Sequence, residues 1–337
     1  MQMNNGRKCS HAGFWVALVF LGGGLLLSLA MNAGLMAALL GKKTSAGFTG
    51  NAEDEYPQMT EKWSYGEGKV KAARIGFTGV ITRNVERDIF GFSFDQVESV
   101  LRQIRAAKND SDVKAIVFEV DSPGGEITPS DEIYQALLEF KASDENRKVI
   151  VFVTGMAASG GYYMSAAGDW ILAEPTSIIG SIGVIMESIN FKGLSEKIGI
   201  TDVTIKSSEN KDLLNPFREV SPVHVAILQA TVDAFYQRFF NIVQNSRPID
   251  EDKLIDMADG RIFSAEVALE TRFIDEIGYW DDVVSRTHAV LEEDQVKFIR
   301  YEQATSFFDR LSQARAPLSP MSLLKPATPR FLYQWRP

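Results

Sequence analysis

The chain has 337 residues, 45% of them apolar and 23% charged, enough to bury the core of one large or two modest domains. Its formal net charge is −9, yet residues 1–43 carry Arg7, Lys8, Lys42 and Lys43 with no acid, and residues 305–337 carry five basic groups against Asp309 alone. Setting aside those two +4 ends leaves −17 for residues 44–304, which excludes nucleic acid as a partner because phosphate contacts need clustered Lys and Arg.

A single cysteine, Cys9, rules out an intramolecular disulfide and a Cys-based zinc site. With only His11, His224 and His288 present, no metal centre and no cofactor are expected. Residues 1–13 are polar and basic, and residues 14–40 are uncharged. As a helix that stretch would measure ~40 Å against a hydrocarbon core of ~30 Å, which predicts a transmembrane anchor. A cleaved signal peptide is the rival, with Ser28-Leu29-Ala30 as its cleavage site, but the apolar pattern runs on through Leu39 and Leu40. Residues 41–72 read as a polar linker, 73–304 as the folded body and 305–337 as a mobile, basic, Pro-rich tail.

Within the body, residues 74–82 read as a strand and 94–108 as a helix with Ser93 at its N-cap. A β-rich run at 113–120 ends in Asp121-Ser122-Pro123-Gly124-Gly125, and a helix is expected over 129–141. The apolar strand at 148–154 leads into Gly155-Met156-Ala157-Ala158-Ser159-Gly160-Gly161. Strand, glycine-rich turn and helix in repetition predict an α/β fold, a mostly parallel sheet with crossover helices. In such folds the site lies at the carboxyl ends of the strands. From Pro222 onward, Val225, Leu228, Val232, Phe235 and Phe239 recur at the spacing of a core helix.

Ser159 follows a strand, is flanked by Ala and Gly, and precedes a helix, where backbone N–H groups favour developing negative charge. That segment alone reads rather as a plain helix cap. The Gly124-Gly125 turn adds N–H groups that a ligand can approach without a Cβ in the way, so one of them and the Gly160 N–H could form an oxyanion hole. A Ser-His-Asp arrangement has little to draw on, because His224 sits in the first turn of the helix that follows Ser221 and His288 in a polar helical segment, places that suit surface or structural roles. A lysine can act as base if its pKa falls from ~10.4 toward neutrality, and Lys206 and Lys211 are both candidates.

The runs Met156–Tyr163, Gly180-Ser181-Ile182-Gly183-Val184 and Lys206-Ser207-x-x-x-Lys211-Asp212 together resemble the bacterial signal peptide peptidase A family in its short, single-copy form. Asp259-Gly260-Arg261-Ile262-Phe263 and Ile274-Asp275-Glu276-Ile277-Gly278 extend the likeness over roughly residues 70–300. The resemblance implies a Clp-protease/crotonase-like fold and a Ser-Lys serine endopeptidase. Ser159 would be its nucleophile, Lys211 its general base, and Ser181 would orient that base. The Gly160 N–H, with that of Gly124 or Gly125, would form the oxyanion hole. It further implies remnant signal peptides or other apolar extended peptides as substrates, a homo-oligomeric ring, and a single-pass inner-membrane protein whose body faces outward. Arg272 departs from the family pattern at a position expected to need positive φ. The alternatives are a crotonase-fold acyl-CoA enzyme and a catalytically inactive membrane scaffold.

Overall fold

The computed structural model describes residues 23, 28, 55–83, 95–303 and 330–334. The chain divides into Met1–Asn51 and Ala52–Pro337, and every element named here belongs to the second unit. In chain order these are β1 (Met59–Tyr65), β2 (Val70–Thr78), α1 (Gln96–Asn109), β3 (Val113–Ser122), β4 (Gly124–Glu126), α2 (Ile127–Ala142) and β5 (Lys148–Ala158). Next come α3 (Gly160–Ser165), β6 (Trp170–Ala173), β7 (Ile178–Gly180), β8 (Ile185–Glu187), α4 (Lys192–Ile198) and a 3-10 turn at Glu209–Asp212. They are followed by α5 (Pro222–Ser246), α6 (Glu251–Met257), β9 (Ile262–Ser264), α7 (Ala265–Glu270) and β10 (Glu276–Ile277). Last are α8 (Trp280–Leu291), β11 (Val296–Gln303) and β12 (Arg330–Gln334).

The main sheet runs β1-β11-β2-β3-β5-β6-β10, with β7 beside the end of β5 and β9 beside β7. The pairs from β11 through β10 and the β5–β7 pair are parallel, while β1–β11 and β7–β9 are antiparallel. The fold is thus α/β with a mixed sheet. Both faces of its centre are covered, which is why the central strands read as continuous apolar runs. In β5, Val149, Val151 and Val153 enter the larger core, while Ile150 and Phe152 enter a smaller one beneath α8 with Val283. That is the period of two of a strand buried on both sides. Helix α1 presents Val97, Val100, Leu101, Ile104 and Ala107 to the core. Its N-cap is Asp95, whose side chain accepts from the Glu98 N–H at 3.0 Å, whereas the expected cap, Ser93, lies outside the described residues.

Three expectations need correction. Among the described residues no helix is long and apolar enough to cross a membrane, and residues 14–40, where the anchor was expected, lie outside those described apart from 23 and 28. The bilayer partner, the inner-membrane location and the anchored enzyme clearing signal peptides are withdrawn with the anchor. The structure of the single chain also gives no support for the ring. Second, α5 is a core helix only in its C-terminal half: Phe239, Phe240 and Val243 are buried, but Val225 is exposed. Its first turns instead line an apolar cleft of about 590 Å3 with Leu228 and Val232, facing Val184, Ile185 and Met186. Third, residues 330–334 of the tail form a strand. β12 lies between β4 and β8 in a separate small sheet, antiparallel to both.

Candidate active site

The last residues of β5 turn sharply at Ser159. Its φ of 53° and ψ of −117° fall outside the usual regions for a residue with a side chain, a strain of about 1–3 kcal/mol that neighbouring contacts must hold in place. Ser159 is 1% exposed. Its N–H donates to the Gly180 carbonyl at 2.7 Å, and its own carbonyl accepts from the Tyr163 N–H at 2.8 Å. Helix α3 starts against β3: a Cβ on Gly161 would sit 2.7 Å from the Ser122 carbonyl oxygen. Only glycine allows that approach, which brings the serine corner beside the β3–β4 turn.

The two glycines of that turn are not equivalent. Gly124 donates its N–H to Ser122 Oγ at 3.1 Å and accepts from the Ile81 N–H at 2.9 Å, and Glu126 donates to the Ile81 carbonyl at 2.7 Å. Residues 124 and 126 therefore present their backbone groups to Ile81. Because successive residues of a strand alternate in direction, Gly125 presents its N–H to the opposite edge. That edge is where β12 lies, with Tyr333 in register with Gly125. A side chain at Gly125 is excluded, since its Cβ would meet the Ile81 carbonyl oxygen at 2.0 Å.

Ser181 stands close to Ser159 through the β5–β7 pairing, which aligns Ala158 with Gly180. It too has positive φ, 55°, it is buried, and its N–H donates to the Arg261 carbonyl at 2.7 Å. The corner is backed by Tyr162, fully buried, whose hydroxyl donates to the Phe273 carbonyl at 2.8 Å; burial pushes that phenol above its ordinary value. Arg272 has the positive φ expected of it, 66°.

The two candidate lysines part company. Lys206 Nζ donates to Asp212 Oδ1 at 2.7 Å and to the Glu209 carbonyl at 3.0 Å. Its ammonium is held above its ordinary value, first by that hydrogen bond to Asp212. Lys211, on the 3-10 turn, is exposed, and its amine has no hydrogen bond or ion pair among the described residues. Ser159 Oγ and Lys211 Nζ are not bonded to each other. The structure therefore gathers Ser159, Gly160, Ser181 and the Gly124-Gly125 turn, and leaves Lys211 on a surface segment. His288 lies in the last turn of α8, with Nδ1 2.8 Å from the Glu293 carbonyl oxygen, and stands 6.3 Å from the Phe298 ring, a structural role. Sequence reasoning passed over Tyr162 and Tyr163, although their place directly after Gly-Gly was a signal.

The Peptidase family S49 model matches residues 141–294, and the Clp protease model matches residues 85–178. The Enterococcus faecium protein named "Putative signal peptide peptidase SppA" is 34% identical over 243 residues, covering 72% of this chain and 70% of that one. A Synechocystis protein named "Putative protease slr0021" is 33% identical, over 75% of this chain and 86% of its own. "Protease 4" of Salmonella typhi is 29% identical over 63% of this chain, but only 34% of its own length is matched. On this likeness, with both glycine turns in place, the chain belongs to peptidase family S49, whose description is that of a protein-hydrolysing enzyme.

Proposed function

We propose that this hydrolase cuts peptide bonds as a serine peptidase, with Ser159 as nucleophile and Lys211 as general base. The observation that carries the reading is the strained, buried Ser159 corner, packed against a glycine turn whose Gly125 N–H points to the edge on which the strand β12 lies. In that reading Ser159 Oγ attacks the peptide carbonyl as the neutral amine of Lys211 takes its proton. The oxyanion accepts hydrogen bonds from the Gly160 and Gly125 N–H groups, the choice of Gly125 over Gly124 following from the direction of its N–H. The ammonium then protonates the leaving amine, and water repeats the sequence on the acyl-enzyme. Ser181 orients the base. The exposed position of Lys211 requires that its segment be brought over Ser159, where loss of water favours the uncharged amine.

β12 supports a peptide as the substrate. It is an extended segment laid antiparallel on β4, the mode in which peptides add a strand to an open sheet edge. The apolar cleft beside β8 suits an apolar side chain of such a strand. The test is turnover of an apolar peptide ester. Ser159→Ala and Lys211→Ala are each expected to lower it by about ten-thousand-fold. Undiminished turnover in either variant would refute the dyad.

A further inference from the structure

Resting on that reading of the oxyanion hole, we infer that Tyr163, Asp131 and Arg238 form a clamp that fixes the distance between its two N–H donors. The donors come from separate elements. Gly160 opens α3, and Gly125 lies in β4, which runs directly into α2. No backbone ladder joins α2 to α3. Besides the packing of Tyr134 on Tyr163, a side-chain hydrogen bond ties them, three residues after Gly160 and six after Gly125: Tyr163 Oη donates to Asp131 Oδ1 at 2.6 Å.

Arg238 of α5 closes the group. Its Nη2 donates to Asp131 Oδ1 at 2.6 Å and its Nε to Tyr163 Oη at 3.0 Å. The carboxylate holds the guanidinium well above its ordinary value. Burial makes the bond directional. The Tyr163 ring is fully buried, edge-on to Tyr134 at 5.4 Å and tilted against Phe239 at 5.1 Å, and this packing holds its hydroxyl in place. Tyr163 also donates its N–H to the Ser159 carbonyl, so movement of its ring is passed to the serine corner.

None of the three touches substrate; they are positioning residues. A donor aimed at a developing oxyanion loses its effect when displaced by a fraction of the bond length, while binding of the ground-state peptide strand, which rests on β4 and β8, is unaffected. Tyr163→Phe keeps the ring and removes the bond. It is expected to lower kcat about tenfold with KM within about twofold, and to weaken a peptide boronate by the same factor as kcat. A non-cleavable peptide of the same sequence should bind as before. Asp131→Asn, which keeps the acceptor oxygen, should retain more kcat than Asp131→Ala. Arg238→Gln, at a half-exposed side chain, gives a milder loss and serves if Tyr163→Phe does not fold.

A fluorophosphonate separates the two ideas. Label on a residue other than Ser159 would sink the serine reading. Label on Ser159 at the wild-type rate in folded Tyr163→Phe or Arg238→Gln, with boronate affinity unchanged, would sink the clamp alone. A rise in KM at unchanged kcat would also overturn it, because that is the mark of lost ground-state binding and not of a displaced oxyanion donor.

Discussion

The serine corner and the lysine segment are built in opposite ways. Around Ser159 the backbone is fixed by hydrogen bonds to Gly180 and Tyr163, by glycine contacts too close for any side chain, and by buried aromatic rings. Around Lys211 the chain is held by polar groups at the surface. Asp212 takes Lys206 at 2.7 Å and Arg218 at 3.1 Å, and Arg218 reaches Asp202 at 2.7 Å. Displacing the corner means disrupting the core, whereas displacing the segment means breaking half-buried ion pairs near the surface, which costs less. In the proposed mechanism the nucleophile and oxyanion donors would therefore be preorganised by the fold, and the base would sit on the part that can adjust. On that proposal the electrostatic machinery would stay rigid and proton transfer would depend on a surface rearrangement.

The severest way to break this contrast is within the rigid half. Gly125→Ala places a methyl 2.0 Å from the Ile81 carbonyl oxygen and 2.6 Å from its nitrogen, both backbone atoms that cannot rotate aside. The strand must shift, at an overpacking cost of about 1–3 kcal/mol, and the Gly125 N–H moves with it. Turnover should fall by roughly 10²–10³, the loss of one oxyanion donor, with a lowered melting temperature. A Gly125→Ala enzyme of normal turnover would mean that this N–H stabilises nothing.

A smaller, opposite effect is expected from the groove. β12 holds the edge that an extended substrate would take, and being on the same chain it competes at high effective concentration. Removing residues 330–337 should lower KM several-fold and leave kcat close to its original value. An unchanged KM would show that peptides enter elsewhere, and the β4–β8 edge would lose its place in the mechanism.

Much of the rigid half was legible in the sequence. The apolar runs at 113–120 and 148–154 could only be strands covered on both faces, and each ended in a glycine-rich turn at the edge where α/β sites form. Ser159, Gly160, Gly124, Gly125 and Ser181 lie together because those turns follow neighbouring strands. Three things were not legible. Pairing between β4, β8 and β12 joins residues up to 210 positions apart, and a short strand amid Pro-rich sequence carries no periodicity of its own. The apolar stripe of α5 looked like core along its whole length because periodicity reports a face and not what covers it. Lys206 and Lys211 could not be told apart, since spacing says nothing of which amine meets a carboxylate.

That last difference gives the finest test of the contrast. Asp212 is held below its ordinary value of 3.8, first by the hydrogen bond from Lys206, and Lys206 is raised above 10.5, first by the same bond. A depressed carboxylate keeps its partner above its ordinary pKa and loses it only as pH falls through the lower folded value. A raised ammonium keeps its partner below its ordinary pKa and loses it only as pH rises through the higher one. The Lys206–Asp212 pair is thus intact at every pH between those two limits. If Lys211 is the base, turnover rises with pH inside that window, and the rise cannot come from Lys206. Lys206→Gln should accordingly lower turnover modestly, by loosening the segment, while the pH profile keeps its shape. A loss of turnover in Lys206→Gln as deep as that expected of Lys211→Ala would transfer the base role from Lys211 to Lys206.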